Sequence, residues 1–389
     1  MSIELTPEDN LRLNVLLANP IQALRIDESK MTVYALSEQG IAKIQLHPTS
    51  RDEYYLRKIR EMIAERILST PGGYPTYLRR WNQMGQAKED NLERLLMLGE
   101  PAAALAVVNA ANLNPELAKR AWWCLPEAAT ARSLLRQSSI VHNELGRELA
   151  HYLIDYLPFE EEPAAIIESV RLVLQGQLLN EETRLQLWHK GRTKATYLVG
   201  FLATLPENLP FPSLPRADFP LIYQQLNFLA EQNNRLAQLL IKLTSASGQT
   251  FVETCEKVLN KPANQDVVNR LFEIMAHYFA PCRPPTYHNQ MNIISLLEQA
   301  THICPTCLDA YSVEKRQILI TMPQLHTTLQ AAAVLSGLNY SIVQPVFSQS
   351  SAIGSLMRKK LAPTLTPILA QCTLLRQATS PQSDQFTCP

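Results

Sequence analysis

Apolar positions along this chain fall mostly at helical spacing, in short runs cut by proline. Residues 6–18 predict the first helix: Thr6 can cap it, Pro7 suits its first turn, and Glu8 and Asp9 complement its N-terminus. Residues 30–46 differ. Val33, Ala35, Ile41 and Ile44 sit in short runs around Ser37-Glu38-Gln39-Gly40, which predicts a β-hairpin. Two strands alone are marginal, so this hairpin must pack on neighbouring helices. Leu56, Ile59, Ile63 and Ile67 then mark one face of a helix over 51–69, stopped by Pro71-Gly72-Gly73.

From 88 to 205 the pattern predicts helix after short helix, at about 88–98, 101–109, 114–124, 127–137, 143–157, 161–175, 181–189 and 193–204. Pro101, Pro115, Pro126, Pro158 and Pro163 punctuate them. Prolines at first turns and corners suit stacked helix pairs of the HEAT type, although no clean period aligns. Residues 206–220 hold Pro206, Pro210, Pro212, Pro215 and Pro220 and read as a stiff linker. Helices resume at about 219–245, 249–260, 265–279 and 290–301. Farther on, Ile318-Leu319-Ile320 within Gln317–Thr321 reads as a buried strand, 323–336 as a helix ended by Gly337, and Tyr340–Phe347 as a second strand.

The expected fold is therefore mainly α: an irregular solenoid or helical bundle, with a small N-terminal β-hairpin and a small C-terminal α/β domain. The expected division is 1–87, 88–205, a linker at 206–220, a helical region at 221–312, the α/β domain at 313–376 and a disordered tail at 377–389.

Composition sharpens this picture. The 389 residues include 12 Gly and 26 Pro, where roughly 7% Gly and 5% Pro are usual. Few glycines leave few sites for phosphate-cradling loops or tight hairpins, which argues against a Gly-rich nucleotide fold and a large all-β protein. Lys plus Arg and Asp plus Glu both number 36, so no whole-chain charge favours nucleic acid or an anionic membrane. No apolar run reaches the roughly 18 residues of a membrane helix, and the polar, acidic start is unlike a signal peptide. Seven thinly spread Cys suggest reduced thiols, so the expected location is the cytoplasm.

The sharpest chemical signal lies at 277–307, with His277, Cys282, His288, His302, Cys304 and Cys307. Cys282, His288, Cys304 and Cys307 would make a four-ligand Zn²⁺ site, since thiolate and imidazole are its natural ligands and C-x2-C presents two sulfurs together. The same pair could serve redox or sulfur relay, or be plain thiols. A basic-aromatic run, Tyr54 to Arg60 and then Tyr77 to Trp81, could bind RNA by stacking and phosphate contacts, but its bases are matched by nearby acids, as on a salt-bridged helix surface. The C-terminal charge is more one-sided. Lys315, Arg316, Arg358, Lys359, Lys360 and Arg376 lie in a stretch, 315–383, that holds no acid. With His326 they form a candidate surface for an acidic partner protein, an anion or RNA. Trp122-Trp123-Cys124 reads as core. No nucleophile elbow, dinucleotide fingerprint, Walker loop or zincin motif is present.

Three stretches carry a resemblance: Leu16–Asn19 with Ala23–Tyr34, Pro71-Gly72-Gly73-Tyr74-Pro75, and Tyr156-Leu157-Pro158-Phe159-Glu160-Glu161-Glu162. They resemble the DsrS family, soluble accessory proteins encoded with the reverse-acting dissimilatory sulfite reductase system of sulfur-oxidising bacteria. The resemblance extends over most of the chain in general character and rests on no catalytic motif. It implies a cytoplasmic protein tied to oxidation of stored sulfur, in an accessory or regulatory role. Separately, Ile318–Gly354 resembles the small selenium/sulfur carrier-like domain, with His326 at its early His and Ser350-Ser351-Ala352-Ile353-Gly354 at its motif. Ile353 stands where that family has Cys, so the resemblance implies a binding module without sulfur carriage.

The expected function is a non-enzymatic helical scaffold for protein partners in sulfur oxidation. Two alternatives stay open: a thiol or zinc protein built on Cys304 and Cys307, and an RNA-binding regulator. No membrane association is expected.

Overall fold

Thr6 starts the structure as its residue type suggests. Its hydroxyl accepts from the Asp9 N–H at 3.2 Å and caps α1, Pro7–Ala18. The computed structural model describes residues 5–68, 89–284, 287, 292–301, 312–348 and 354–378. The chain is mostly helical, with a small antiparallel sheet near its N-terminus. It divides into two units, 1–158 with 175–179, and 159–174 with 180–389.

In the first unit, β1 (Ile21–Asp27), β2 (Thr32–Ser37) and β3 (Gly40–Gln45) pair antiparallel in that order. The hairpin expected at 30–46 is β2–β3, turning where Ser37 pairs with Gly40. The additional strand, β1, was hidden by a register shift between Ile21 and Ala23, which leaves the neighbours Ala23 and Leu24 both buried and breaks the period-2 signal. The sheet packs with α1 and α2 (Asp52–Leu68) around Leu13, Leu24, Val33, Tyr55, Ile59 and Ile63.

Asp9 is fully buried among these elements. It accepts from the Tyr55 hydroxyl at 2.6 Å, the His47 backbone N–H at 2.7 Å and His47 Nδ1 at 3.0 Å. Burial pushes its pKa up, but the bonds from Tyr55 and His47 outweigh burial and hold it below the usual carboxylate value. One carboxylate thus ties α1, α2 and the segment after β3 together.

The first unit continues as α3 (Glu89–Leu96), α4 (Pro101–Val108), α5 (Pro115–Cys124), α6 (Ala128–Leu135), the short α7 (Ser138–Val141) and α8 (Glu144–Tyr156). Pro101 and Pro115 occupy first turns, and Asn114 caps α5 through the Leu117 N–H at 2.8 Å. Trp122 is buried and donates to Glu148 at 2.8 Å, whereas Trp123 is only partly buried. The Arg25 guanidinium sits 5.0 Å from the ring centres of both Trp123 and Tyr34, joining the sheet to α5.

The second unit holds α9 (Pro163–Val173), α10 (Glu181–Lys190), α11 (Ala195–Thr204), α12 (Phe219–Glu231), α13 (Arg235–Thr244), α14 (Ala246–Asn260) and α15 (Gln265–Tyr278). After them come α16 (Ile293–Thr301), α17 (Val313–Thr321), α18 (His326–Ser336), α19 (Gln344–Ser348) and α20 (Gly354–Arg376). Asn180, Asn234, Ser245, Asn264 and Ser312 cap their helices with side-chain oxygens. Helices α9 and α11 meet at Gly200, where a Cβ would lie 2.6 Å from Val170, so only glycine permits that approach.

The expected C-terminal α/β domain is overturned. Both segments read as strands are helical: Gln317–Thr321 lies within α17, and Tyr340–Phe347 forms a 3-10 turn at Tyr340–Ile342 followed by α19. A run of three apolar residues does not discriminate strand from helix. Here Ser312 caps the helix, Glu314 favours its first turn, and the run splits into buried Ile318 and Leu319 and exposed Ile320. The strand–helix–strand order implied for 318–354 is therefore not the one adopted. Its motif residues 350–353 lie outside the described residues, as do Pro71–Trp81 and 379–389.

The Pro-rich stretch 206–220 falls within the second unit and is anchored there. Arg216 is 3% exposed; its Nε donates to Asp218 at 2.7 Å, and its Nη1 donates to Thr328 Oγ1 at 3.3 Å and to the Leu375 carbonyl at 3.4 Å. Its backbone N–H donates to the Thr244 carbonyl at 2.9 Å.

Two stability predictions follow from these buried charges. Asp9→Asn should destabilise the protein by about 1–3 kcal/mol at neutral pH, because it unbalances three bonds at a buried site. Since folding depresses the Asp9 pKa, its contribution is complete above the unfolded value and vanishes as pH falls through the folded one. The gap between parent and variant, read from urea midpoints, should therefore close on acidification below about pH 4. Arg216→Ala leaves Asp218 without its cation and should cost about 3 kcal/mol in the same assay.

Candidate functional site

Two groups separated in the sequence analysis converge in the second unit. Cys282 ends a 3-10 turn, Ala280–Cys282, that follows α15, and it packs against the apolar cluster of Ile222, Leu226, Leu240, Ile318, Met322 and Leu325. Lys315 enters from the first turn of α17 and His326 from the start of α18. Burial pushes the Cys282 thiol up to about 12, with the Lys315 ammonium pulling it back. Burial lowers the Lys315 pKa, partly offset by Cys282. His326 is lowered by burial and then by the charge of Lys315. This corner holds a protonated thiol and a neutral imidazole at neutral pH. A thiol so placed is a poor nucleophile.

The other proposed ligands, His288, Cys304 and Cys307, lie outside the described residues, as does His302. Among the described residues no three His, Cys, Asp or Glu side chains converge to hold a metal ion.

The remaining basic residues separate by environment. Arg376, at the end of α20, pairs with Glu256 at 2.6 Å and Glu253 at 3.6 Å. Arg316 is half-buried on α17. Arg358, Lys359 and Lys360 are exposed near the start of α20 and form no ion pair among the described residues. They are exposed because α20 buries only a narrow stripe, Met357, Leu361, Leu365, Ile368, Cys372 and Leu375. Pro363 and Pro367 lie inside this helix and lack N–H groups, which releases the carbonyls of Lys359 and Pro363 from helical bonding. The exposed side of α20 thus offers three cations.

The basic-aromatic run 54–60 is neutralised in place. Arg60 pairs with Glu28 and with Glu100, the latter at 2.7 Å; Lys58 pairs with Glu61 at 2.7 Å, and Tyr55 is buried.

A second place was not anticipated. A cleft of about 510 Å³ opens beside α11, α13 and α15, lined by Glu207, Lys242, Arg270, Glu273, His277 and Tyr278 over apolar wall from Leu202, Ile274 and Pro281. Lys242 contacts the Glu207 carboxylate, and its ammonium lies 4.8 Å from the centre of the Tyr278 ring. Arg270 donates to Glu273 at 2.7 Å. The Tyr278 ring stacks on Phe251 with centres 3.9 Å apart. Its hydroxyl is buried with no hydrogen-bond partner among the described residues, and its pKa is raised by burial, then by Glu207 and Cys255. The sequence signalled only His277, and grouped it with the cysteines; the structure places it on this rim, one residue from Tyr278. Comparison of the chain with family models, with curated proteins and with solved structures returns no match.

The thiol environment makes a direct prediction. Cys282 in the native protein should resist iodoacetamide at pH 8 and react at least tenfold faster after unfolding, as followed by peptide mapping of the alkylated chain.

Proposed function

We propose that this protein is a non-enzymatic accessory or regulatory scaffold that docks an acidic protein partner on the outer face of α20. The observation that carries this reading is the isolation of Arg358, Lys359 and Lys360: they are exposed, unpaired among the described residues, and set in a stretch, 315–383, without one acidic residue. Surplus charge of one sign steers and orients a partner of the opposite sign. The succession of short Pro-started helices supports the scaffold part of the reading, with helix pairs stacked as an irregular solenoid of the HEAT kind. The absence of catalytic motifs from the sequence points the same way.

The resemblance to the DsrS family directs the search for that partner to the proteins of sulfur oxidation, in the cytoplasm. Relay or zinc binding through Cys304 and Cys307 is the second reading. RNA binding is the third, and the same three cations would carry it.

One titration decides between acidic protein and RNA. The full chain is titrated against fluorescent poly-L-glutamate and against single-stranded RNA over a series of salt concentrations, alongside R358E/K359E/K360E. Saturable binding of poly-L-glutamate, weakened at least tenfold by the triple reversal and progressively by salt, is the expected result. Preference for RNA would transfer the face to the RNA-binding reading, and binding of neither probe would overturn the docking role.

A further inference from the structure

The cleft beside α11, α13 and α15 is chemically unlike the α20 face. It is concave, it holds charges of both signs, and it contains a buried group with no hydrogen-bond partner among the described residues. Buried hydroxyls almost always find partners, because one left without a partner forfeits its hydration for nothing. Tyr278 is 9% exposed, and its hydroxyl has no partner among the described residues. The ring cannot easily turn away, since it stacks on Phe251 and meets Phe279 edge-on at 5.0 Å. Lys242 covers the ring from the cleft side, held by Glu207 rather than by the hydroxyl.

The charge set narrows the ligand. Lys242 and Arg270 are balanced by Glu207 and Glu273, with His277 on the rim. A simple anion entering here would meet two cations but also two carboxylates, and a simple cation would meet the converse. A small molecule carrying both signs satisfies each set, whereas a ligand of one sign leaves the opposite set unmatched. The volume, about 510 Å³, is that of a small-molecule site, and Leu202, Ile274 and Pro281 supply apolar wall for a side chain.

We propose that this cleft binds a small zwitterion of the α-amino acid class. Its carboxylate is taken by Lys242, which swings off the Tyr278 ring, and by the freed Tyr278 hydroxyl as donor. Its ammonium is taken by Glu207, released from Lys242, with Glu273 beside it. The site is separate from the α20 face and stands or falls independently of the docking role.

The test uses the full chain, with calorimetry and thermal shift against the twenty common L-amino acids. For the best binder, two analogues are added, one lacking the amine and one lacking the carboxylate. At least one amino acid is expected to bind one-to-one and raise the melting temperature, with each analogue at least tenfold weaker. Tyr278→Phe should leave the ligand-free melting temperature unchanged or higher, because it removes only a hydroxyl that has no partner among the described residues, and should weaken binding at least tenfold. Glu207→Gln, a surface change that preserves shape, should weaken the amino acid but not the analogue lacking the amine. Failure of all twenty to bind would overturn the proposal. So would equal binding of the deaminated analogue, which would mark a plain anion site, or undiminished binding to Tyr278→Phe.

Discussion

The second unit hangs on one guanidinium. Arg216 leaves a proline-rich segment with no regular structure and reaches into a core where its side chain is 1% exposed. An isolated cation there would be prohibitive; Asp218, two residues on, makes it tolerable by accepting from Nε, and Nη1 donates to Thr328 and the Leu375 carbonyl, while Nη2 has no hydrogen-bond partner among the described residues. The Leu375 carbonyl belongs to the last turn of α20, where orphan acceptors and the negative end of the helix dipole welcome a cation. Gln249 donates to the same carbonyl at 3.3 Å. One side chain therefore fixes the end of α20, the start of α18 and the path of residues 206–220. That anchor adjoins both surfaces, since Pro206 and Glu207 edge the cleft and α20 carries the exposed cations.

Around that anchor, the helices are built by local rules. Segments of 8 to 15 residues, such as α4 and α14, are too short to be stable alone and require both packing and satisfied ends. Pro at the first turn and Asn or Ser at the cap supply the starts. The stops and corners use little glycine. Met31, Asn112, Gln177, Phe211 and Asn233 all adopt left-handed backbone with φ of 45–63°, conformations usually assigned to glycine. Some of the glycine that is present sits where no side chain fits, as at Gly200 between α9 and α11, and some where φ is positive in open space, as at Gly40 and Gly354.

This explains what could be read from residues alone. Capping and proline placement are local, so the succession from Glu89 to Thr204 was legible nearly helix by helix. The failures have non-local causes. β1 is a strand because β2 pairs with it, and its bulge erased the alternation that would have announced it. Ile318-Leu319-Ile320 has strand-like composition, yet α17 packs on α12 and α13, and that burial overrides propensity. Site residues divide in the same way. The acid-free stretch is a property of composition and was visible; that Arg376 is neutralised by Glu253 and Glu256 while Arg358–Lys360 are not depends on which helix lies alongside. The cleft was invisible because Glu207, Lys242 and Tyr278 share no motif and meet only through packing.

Overall neutrality and local charge are reconciled by distance. Screening confines the field of an exposed charge to about 8 Å at physiological ionic strength. The 36 acids that balance the 36 bases in the total therefore matter to a given face only where they lie within that range. Glu253 and Glu256 lie against Arg376, and Glu207 and Glu273 lie against Lys242 and Arg270. No described acid pairs with Arg358, Lys359 or Lys360 on the outer side of α20. Zero net charge argues against wrapping a polyanion over the whole surface, but it permits one cationic helix face and one balanced cleft. Those two electrostatic environments suit different ligands: a partner of opposite sign for the face, and a molecule carrying both signs for the cleft.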